Sequence, residues 1–272
     1  MPSKIAFIGG GNMASALVGG LVDAGHGGDT ILVVDPGETQ RRRLAERFGI
    51  TVLAAADASL EAADLVVWAV KPQAFRDAAA PCRAHVGAAL QLSVMAGIRS
   101  DTIVSAIGSE RVVRAMPNVP ALIGQGIAGL FARVAVSAAD RDRAESILAA
   151  AGQCVWVDHE GALDAVTALS GSGPAYVFHV IEAMLAAGRA MGLDEAKARR
   201  LVLQTLAGAT ALAAQSEEAP DVLRRNVTSP GGTTQAAMTI LEQRGVKAAF
   251  VDAILAARDR ARELGDEFGA AG

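Results

Sequence analysis

The residues whose types and order could do chemistry begin almost at once. After the run Lys4 to Ile8 come Gly9-Gly10-Gly11-Asn12-Met13-Ala14, then a helix-forming stretch to Ala24. In this G-x-G-x-x-A pattern Gly9 permits a tight turn, Gly11 lets the backbone approach a pyrophosphate, and Ala14 lets the helix sit close to the strand. The first N–H groups of that helix then face an anion. The next apolar run ends in Val33-Val34-Asp35, 24 residues beyond Gly11. A carboxylate there can accept from the adenosine ribose hydroxyls of NAD and would repel the 2′-phosphate of NADP. Arg41, Arg42 and Arg43 follow closely, and one of them folding back could pair with that phosphate. The pattern expects a dinucleotide, NAD(H) or NADP(H), and leaves the choice open.

Further polar loops fall where such a sheet would present its carboxyl edge, the edge at which open α/β sheets bind ligands. Val70-Lys71-Pro72-Gln73 follows the run Leu65 to Ala69, and Pro72 restricts Lys71 to an extended backbone. The loops Ser93 to Gly97, with Ala96, and Met116-Pro117-Asn118 should line the same crevice. Two more loops stand apart in a helical region. Leu169-Ser170-Gly171-Ser172-Gly173-Pro174-Ala175-Tyr176 puts two Ser-Gly pairs ahead of a proline suited to a first helical turn. Asn226-Val227-Thr228-Ser229-Pro230-Gly231-Gly232-Thr233-Thr234 does the same before another helix. Each offers backbone N–H groups and hydroxyls at a positive helix end, an uncharged cradle for an anion. Beside a dinucleotide loop, they point to a small carboxylate substrate.

These residues need elements to position them. Strand candidates are Lys4 to Ile8, Thr30 to Val34, Thr51 to Leu53, Leu65 to Ala69, Leu90 to Ser93, Arg111 to Ala115, Ile127 to Phe131 and Cys154 to Val157, with alanine-rich helical stretches between. Runs such as Leu65-Val66-Val67-Trp68-Ala69 lack polar alternation, as in a parallel sheet covered on both faces. Past Asp164 the strand signals stop and helices are expected at Pro174 to Met191, Asp194 to Gln215, Ala219 to Arg225, Thr234 to Arg244 and Val246 to Phe268. The fold class is α/β: a Rossmann-type doubly wound sheet over residues 1–160 and an all-α substrate-binding and dimerisation domain over 161–272. Its small side chains and 4% aromatic content favour close helix packing, with the remaining apolar face buried against a second subunit.

Composition excludes other classes. The 272 residues are 51% apolar and 20% charged, which is neither disordered nor collagen-like. A net charge of −4 gives no basic field for nucleic acid or anionic lipid. Cys82 and Cys154 lack metal-ligand spacing and read as core thiols of a reducing compartment, so no metal site is expected. The short polar start and the glycine- and proline-broken apolar stretches suggest neither an export signal nor a membrane span, and the expectation is a cytoplasmic chain.

Five stretches carry a specific resemblance, in order along the chain. Phe7-Ile8-Gly9-Gly10-Gly11-Asn12-Met13, Ala69-Val70-Lys71-Pro72-Gln73, Val113-Arg114-Ala115-Met116-Pro117-Asn118, Ala168 to Tyr176 and Thr228-Ser229-Pro230-Gly231-Gly232-Thr233-Thr234 closely resemble pyrroline-5-carboxylate reductases. The resemblance implies hydride transfer from NADPH or NADH to the C=N carbon of 1-pyrroline-5-carboxylate, giving L-proline. It also implies a Rossmann domain, a helical domain interlocked with its twin, and dimers that often gather into rings. By the matching motifs, Ile8, Gly9, Gly10, Gly11, Asn12, Met13, Asp35, Val70, Lys71, Pro72, Ala96 and Asn118 contact cofactor. Asn226, Thr233 and Thr234 hold the substrate carboxylate, with Ser229, Gly231 and Gly232 shaping the loop. Thr167 resembles the family hydroxyl near the ring nitrogen, and Glu160 an acidic substrate contact. The family often has an asparagine ahead of the Asp64 strand, where this chain has Ala56-Asp57, so that ribose contact is not carried over.

Hydride attack needs a carbon made electrophilic by a proton or hydrogen bond on nitrogen, and requires neither nucleophile nor metal. By charge alone, Glu160 could stabilise an iminium cation and Thr167 could donate to the nitrogen. Two rivals share parts of the pattern. A β-hydroxyacid dehydrogenase needs a lysine a turn after its glycine-rich loop, and Tyr176-Val177-Phe178-His179 has none. A non-catalytic nucleotide sensor gives no reason for the Ser229 to Thr234 cradle.

Overall fold

The computed structural model describes residues 3–270. The first half alternates β1 (Ile5–Ile8), α1 (Asn12–Asp23), β2 (Ile31–Val34), α2 (Glu38–Phe48), β3 (Thr51–Leu53), β4 (Leu65–Trp68), α3 (Phe75–Val86), β5 (Leu90–Ser93), α4 (Ser100–Ile107), β6 (Val112–Met116), β7 (Gly126–Ala132), α5 (Ala138–Ala149) and β8 (Gly152–Trp156). There follow α6 (Ala162–Val166), a π-helical turn (Thr167–Gly171), α7 (Gly173–Ala190), α8 (Glu195–Gln215), α9 (Pro220–Asn226), α10 (Thr233–Gln243) and α11 (Val246–Ala270). All eight expected strands are present, in one sheet of order β3-β2-β1-β4-β5-β6-β7-β8.

The strands lack alternation because each feeds two cores. Ile5, Phe7, Leu65, Val67, Leu90 and Leu92 point to one face, against α1 and α5 residues such as Leu17, Leu21, Ala144 and Leu148. Ala6, Ile8, Val66 and Trp68 point to the other, with Phe75, Val86, Ile103 and Ile107. Gln91 is the polar exception in this interior. Its amide accepts from Trp68 Nε1 (2.9 Å) and donates to the carbonyls of Val86 and Ala89 (2.7 and 2.9 Å), so its burial leaves nothing unpaired. The other tryptophan, Trp156, donates from Nε1 to Glu145 (2.7 Å) under the Arg141 guanidinium.

One pair departs from the parallel sheet expected: β7 runs antiparallel to β6. The link between them, residues 117–125, is too short for a parallel crossover, which needs about a dozen residues or more, and it closes with Gly124 at φ +71°. The chain turns back instead.

By contact, the chain forms two compact units, one up to Pro174 and again from Ala256, the other Ala175–Leu255. The first extends past residue 160 because α6 packs on β6 and β7, and it regains the end of α11, where Phe268 covers Gly97 and Gly265 lies on the Arg99 guanidinium. In the second, Gly192 at φ +84° ends α7 and Asp194 caps α8 by accepting from the Lys197 N–H (2.9 Å). Only Gly188, Ala198 and Val202 are buried there among the described residues, while Val177, Phe178, Leu201, Leu212, Ile240 and Val251 stand exposed. That unit does not bury its own apolar surface. Among the described residues no helix is long and apolar enough to cross a membrane. Burial pushes the thiols of Cys82 and Cys154 up to about 11, away from nucleophilic duty.

Candidate active site

The glycine loop is held from three sides. Gly9 takes φ +96°, and a Cβ there would lie 2.8 Å from the Ala69 carbonyl and 2.9 Å from Val70, so only glycine lets β1 turn beside the end of β4. The Gly10 N–H donates to Asp35 Oδ2 (2.8 Å), and its carbonyl accepts from the Gln40 amide. Asp35 Oδ1 accepts from the Gly37 N–H (2.8 Å). The carboxylate expected at the ribose thus also fastens the loop to the end of β2. Arg41 does fold back, onto the Asp35 carbonyl (2.8 Å). Gly11 starts α1 with no side-chain cap, no acidic residue stands in the first turn, and a Cβ at Gly11 would meet nothing. Exposed, uncapped N–H groups with open space before them suit a pyrophosphate.

Along the carboxyl edge, Lys71 is exposed and extended (φ −64°, ψ 142°), as Pro72 dictates, Val70 is half-buried and Ala96 is exposed. Asp57 caps the short turn Ala58–Ala62 by accepting from Ser59, which accounts for the residue standing there. Asn118 bonds within the protein. Its buried amide faces the protein, Oδ1 accepting from the Ile127 N–H (3.0 Å) and Nδ2 donating to the Ser170 carbonyl (3.1 Å).

Glu160, expected as an acidic substrate contact, is bonded within the protein as well. Oε1 accepts from the Ser100 N–H (2.6 Å) and Arg114 Nη1 (2.8 Å), and Oε2 from the Ser100 hydroxyl (2.7 Å). Burial alone would raise the carboxyl pKa, but the Ser100 N–H and the Arg114 charge outweigh it and hold the group below the usual range. Both oxygens are engaged, and through them Glu160 secures the start of α4 to β6. Beside it, Arg99 pairs through two nitrogens with Asp164 (2.9 and 3.0 Å). Arg114 was the legible signal: an arginine in the otherwise apolar Val112-Val113-Arg114-Ala115 has to bury an anion with it.

Thr167 opens the π-helical turn, where the Ser172 N–H reaches the Thr167 carbonyl (2.8 Å). Such turns are frequent at functional sites. The Thr167 hydroxyl donates to the Leu163 carbonyl (2.7 Å), so its proton is committed and its oxygen can only accept from anything else. Gly171 fits because a Cβ there would stand 2.7 Å from Met116 Cε.

In the second unit, the Asn226 to Thr234 stretch builds a cradle of the same design as the α1 loop. Gly232 starts α10 without a side-chain cap, and no acidic residue occupies its first turn. Gly231 adopts φ +71° and donates its N–H to the Gln235 side chain, while the Gly232 N–H closes a turn on the Ser229 carbonyl (3.1 Å). Thr233 is exposed and Thr234 half-buried at the helix end, and Asn226 donates to Glu218 (3.1 Å).

Comparison with known proteins bears on this arrangement. A family model described as pyrroline-5-carboxylate reductase dimerisation matches residues 160–264, and one described as NADP oxidoreductase, coenzyme F420-dependent, matches 4–97. A pyrroline-5-carboxylate reductase of Pseudomonas aeruginosa is 45% identical over 98% of this chain and 98% of its own length. The chain belongs to the pyrroline-5-carboxylate reductase family. Among solved members of that family, the Coxiella burnetii enzyme superposes with TM-score 0.90 at 36% identity, covering 97% of this chain and 99% of that one. The Plasmodium falciparum enzyme, solved with NADP bound, gives 0.88 at 27% identity, covering 97% and 98%.

Proposed function

We infer that this chain is an NAD(P)H-dependent reductase of the C=N bond of 1-pyrroline-5-carboxylate, yielding L-proline as the last step of proline biosynthesis. What carries the reading is a pair of helix starts, at α1 and α10, each opened by glycine with no side-chain cap and no acid in the first turn, in a chain similar to this family from end to end. One suits a dinucleotide pyrophosphate and the other a substrate carboxylate.

When bound, the reduced nicotinamide supplies the hydride. Ile8, Gly9, Gly10, Gly11, Asn12 and Met13 would receive the pyrophosphate end, with Asp35 at the adenosine ribose and Val70, Lys71, Pro72 and Ala96 along the crevice. Thr233 and Thr234, with Asn226, would hold the carboxylate, on the loop that Ser229, Gly231 and Gly232 shape. Thr167 keeps a proton at the ring nitrogen: its oxygen, its own hydrogen given to Leu163, accepts from the N–H of the protonated imine, which leaves the neighbouring carbon electron-poor. This replaces the donor role its residue type first suggested. Glu160 serves the site through Ser100 and Arg114, without touching substrate.

Residues 161–272 act as the substrate-binding and dimerisation module. The exposed apolar helix faces and the match to a dimerisation model support a homodimer, and by family likeness larger rings of such dimers. The net charge of −4 supports a chain with no nucleic-acid or membrane partner, and two cysteines without metal-ligand spacing support a reducing, cytoplasmic setting. Mixing pure protein with 1-pyrroline-5-carboxylate and NADPH or NADH should deplete the nicotinamide absorbance. No loss with either cofactor overturns the assignment, and turnover of hydroxyacids with oxidised cofactor would favour the dehydrogenase reading.

A further inference from the structure

We propose that Asn118 is a positioning residue for the reduction: it sets the π-helical turn that presents Thr167, and it does not bind cofactor. The inference rests on the reading of Thr167 given above.

The need arises from sequence. In an α-helix the carbonyl of Ser170 would accept from the N–H four residues on, at position 174, but residue 174 is proline and has no N–H. The turn is widened here, with Ser172 N–H bonded five residues back to Thr167, and the Ser170 carbonyl is left needing a donor from outside the helix. Asn118 Nδ2 supplies it at 3.1 Å. The same amide accepts the Ile127 N–H at 3.0 Å, so one side chain joins the end of β6, the start of β7 and the turn. Its orientation is unambiguous, because an N–H needs the oxygen on one side and a carbonyl needs the nitrogen on the other. With Asn118 9% exposed, solvent is a poor replacement for either bond. A shift of the turn would carry Thr167, three residues before Ser170, and with it the acceptor at the ring nitrogen. Small displacements of a reacting group of this kind cost rate more than affinity.

The test is a double-mutant cycle on the full-length enzyme. Asn118→Asp keeps the volume and the acceptor for Ile127 but faces the Ser170 carbonyl with oxygen. It should lower kcat about tenfold and leave the Kd of NADPH, followed by quenching of protein fluorescence, unchanged within about twofold. Thr167→Val should lower kcat similarly, and the double variant should be no slower than the slower single one, since both remove one function. Multiplied losses, or a cofactor Kd weakened tenfold by Asn118→Asp, overturn the proposal. If Asn118→Asp does not fold, Pro174→Ala supplies the same information. It offers Ser170 a helical donor in competition with Asn118, and should lower kcat severalfold without lowering the thermal midpoint, whereas unchanged kcat overturns the proposal. Failure of the wild-type enzyme to reduce the imine would instead refute the functional reading itself.

Discussion

Replacing Glu160 by glutamine separates a structural carboxylate from one that meets substrate. The substitution keeps shape and one acceptor oxygen but removes the charge opposite Arg114, whose side chain is 6% exposed against 22% for Glu160. Breaking a fully buried pair costs about 3–5 kcal/mol because a charge is left uncompensated. The partial exposure of Glu160 and the retained Ser100 bonds bring the expectation down to about 2–3 kcal/mol. At roughly 2–4 °C per kcal/mol for a chain of this size, the thermal midpoint should fall by about 5–10 °C. Calorimetry of the wild type, Glu160→Gln and Glu160→Gln with Arg114→Met reads this directly. The double variant should recover most of the loss, since it buries no charge. KM for 1-pyrroline-5-carboxylate, measured well below the midpoint, should change less than about threefold. A midpoint moved by under about 1 °C together with a tenfold rise in KM would refute this, and would return Glu160 to the substrate.

The same pair predicts a pH dependence. The folded pKa of Glu160 lies below its ordinary 4.5, so its stabilisation is complete above that value and is lost as pH falls through the folded pKa. The gap in thermal midpoint between wild type and Glu160→Gln should therefore be constant from pH 6 to 8 and close in acid. Thr234→Ala should raise KM for 1-pyrroline-5-carboxylate about tenfold or more, from loss of a charge-assisted bond worth about 1.5–3 kcal/mol, and an unchanged KM would remove Thr234 from the cradle. Asp35→Ser removes the carboxylate proposed to face the adenosine ribose. It should shift the kcat/KM ratio toward NADPH about tenfold while weakening both cofactors, since the Gly10 and Gly37 N–H groups lose their acceptor.

What the residues announced beforehand was whatever depends on local order. Eight apolar runs became eight strands, and Gly9, Gly11 and Ala14 stand where a strand-turn-helix needs them, because a tight turn and a close approach are demands of adjacent residues. The reversal at β7 is legible in the length of the link 117–125, too short for a parallel crossover. The roles of Asn118 and Glu160 were not, since partners 52 and 46 residues away in sequence, Ser170 and Arg114, decide them. The π-helical turn belongs to the same class: Pro174 marks a missing donor, but only the folded chain shows which group replaces it. Helix content changes after residue 160, whereas compactness changes at Pro174, because α6 is helical in sequence and sheet-packed in space.

The placement of the indoles gives this protein two optical channels of different reach. Trp68, sealed in the core against Gln91, and Trp156, beneath Arg141, are its only tryptophans, and both precede Pro174. Their emission follows the loss of the sheet-bearing unit alone. Far-ultraviolet ellipticity is dominated by helices, and so also records the Ala175–Leu255 unit, which has no indole. In a denaturant titration, superimposable curves would mean that the two units melt as one cooperative body, whereas ellipticity that outlasts or precedes the emission change would resolve two transitions without a label.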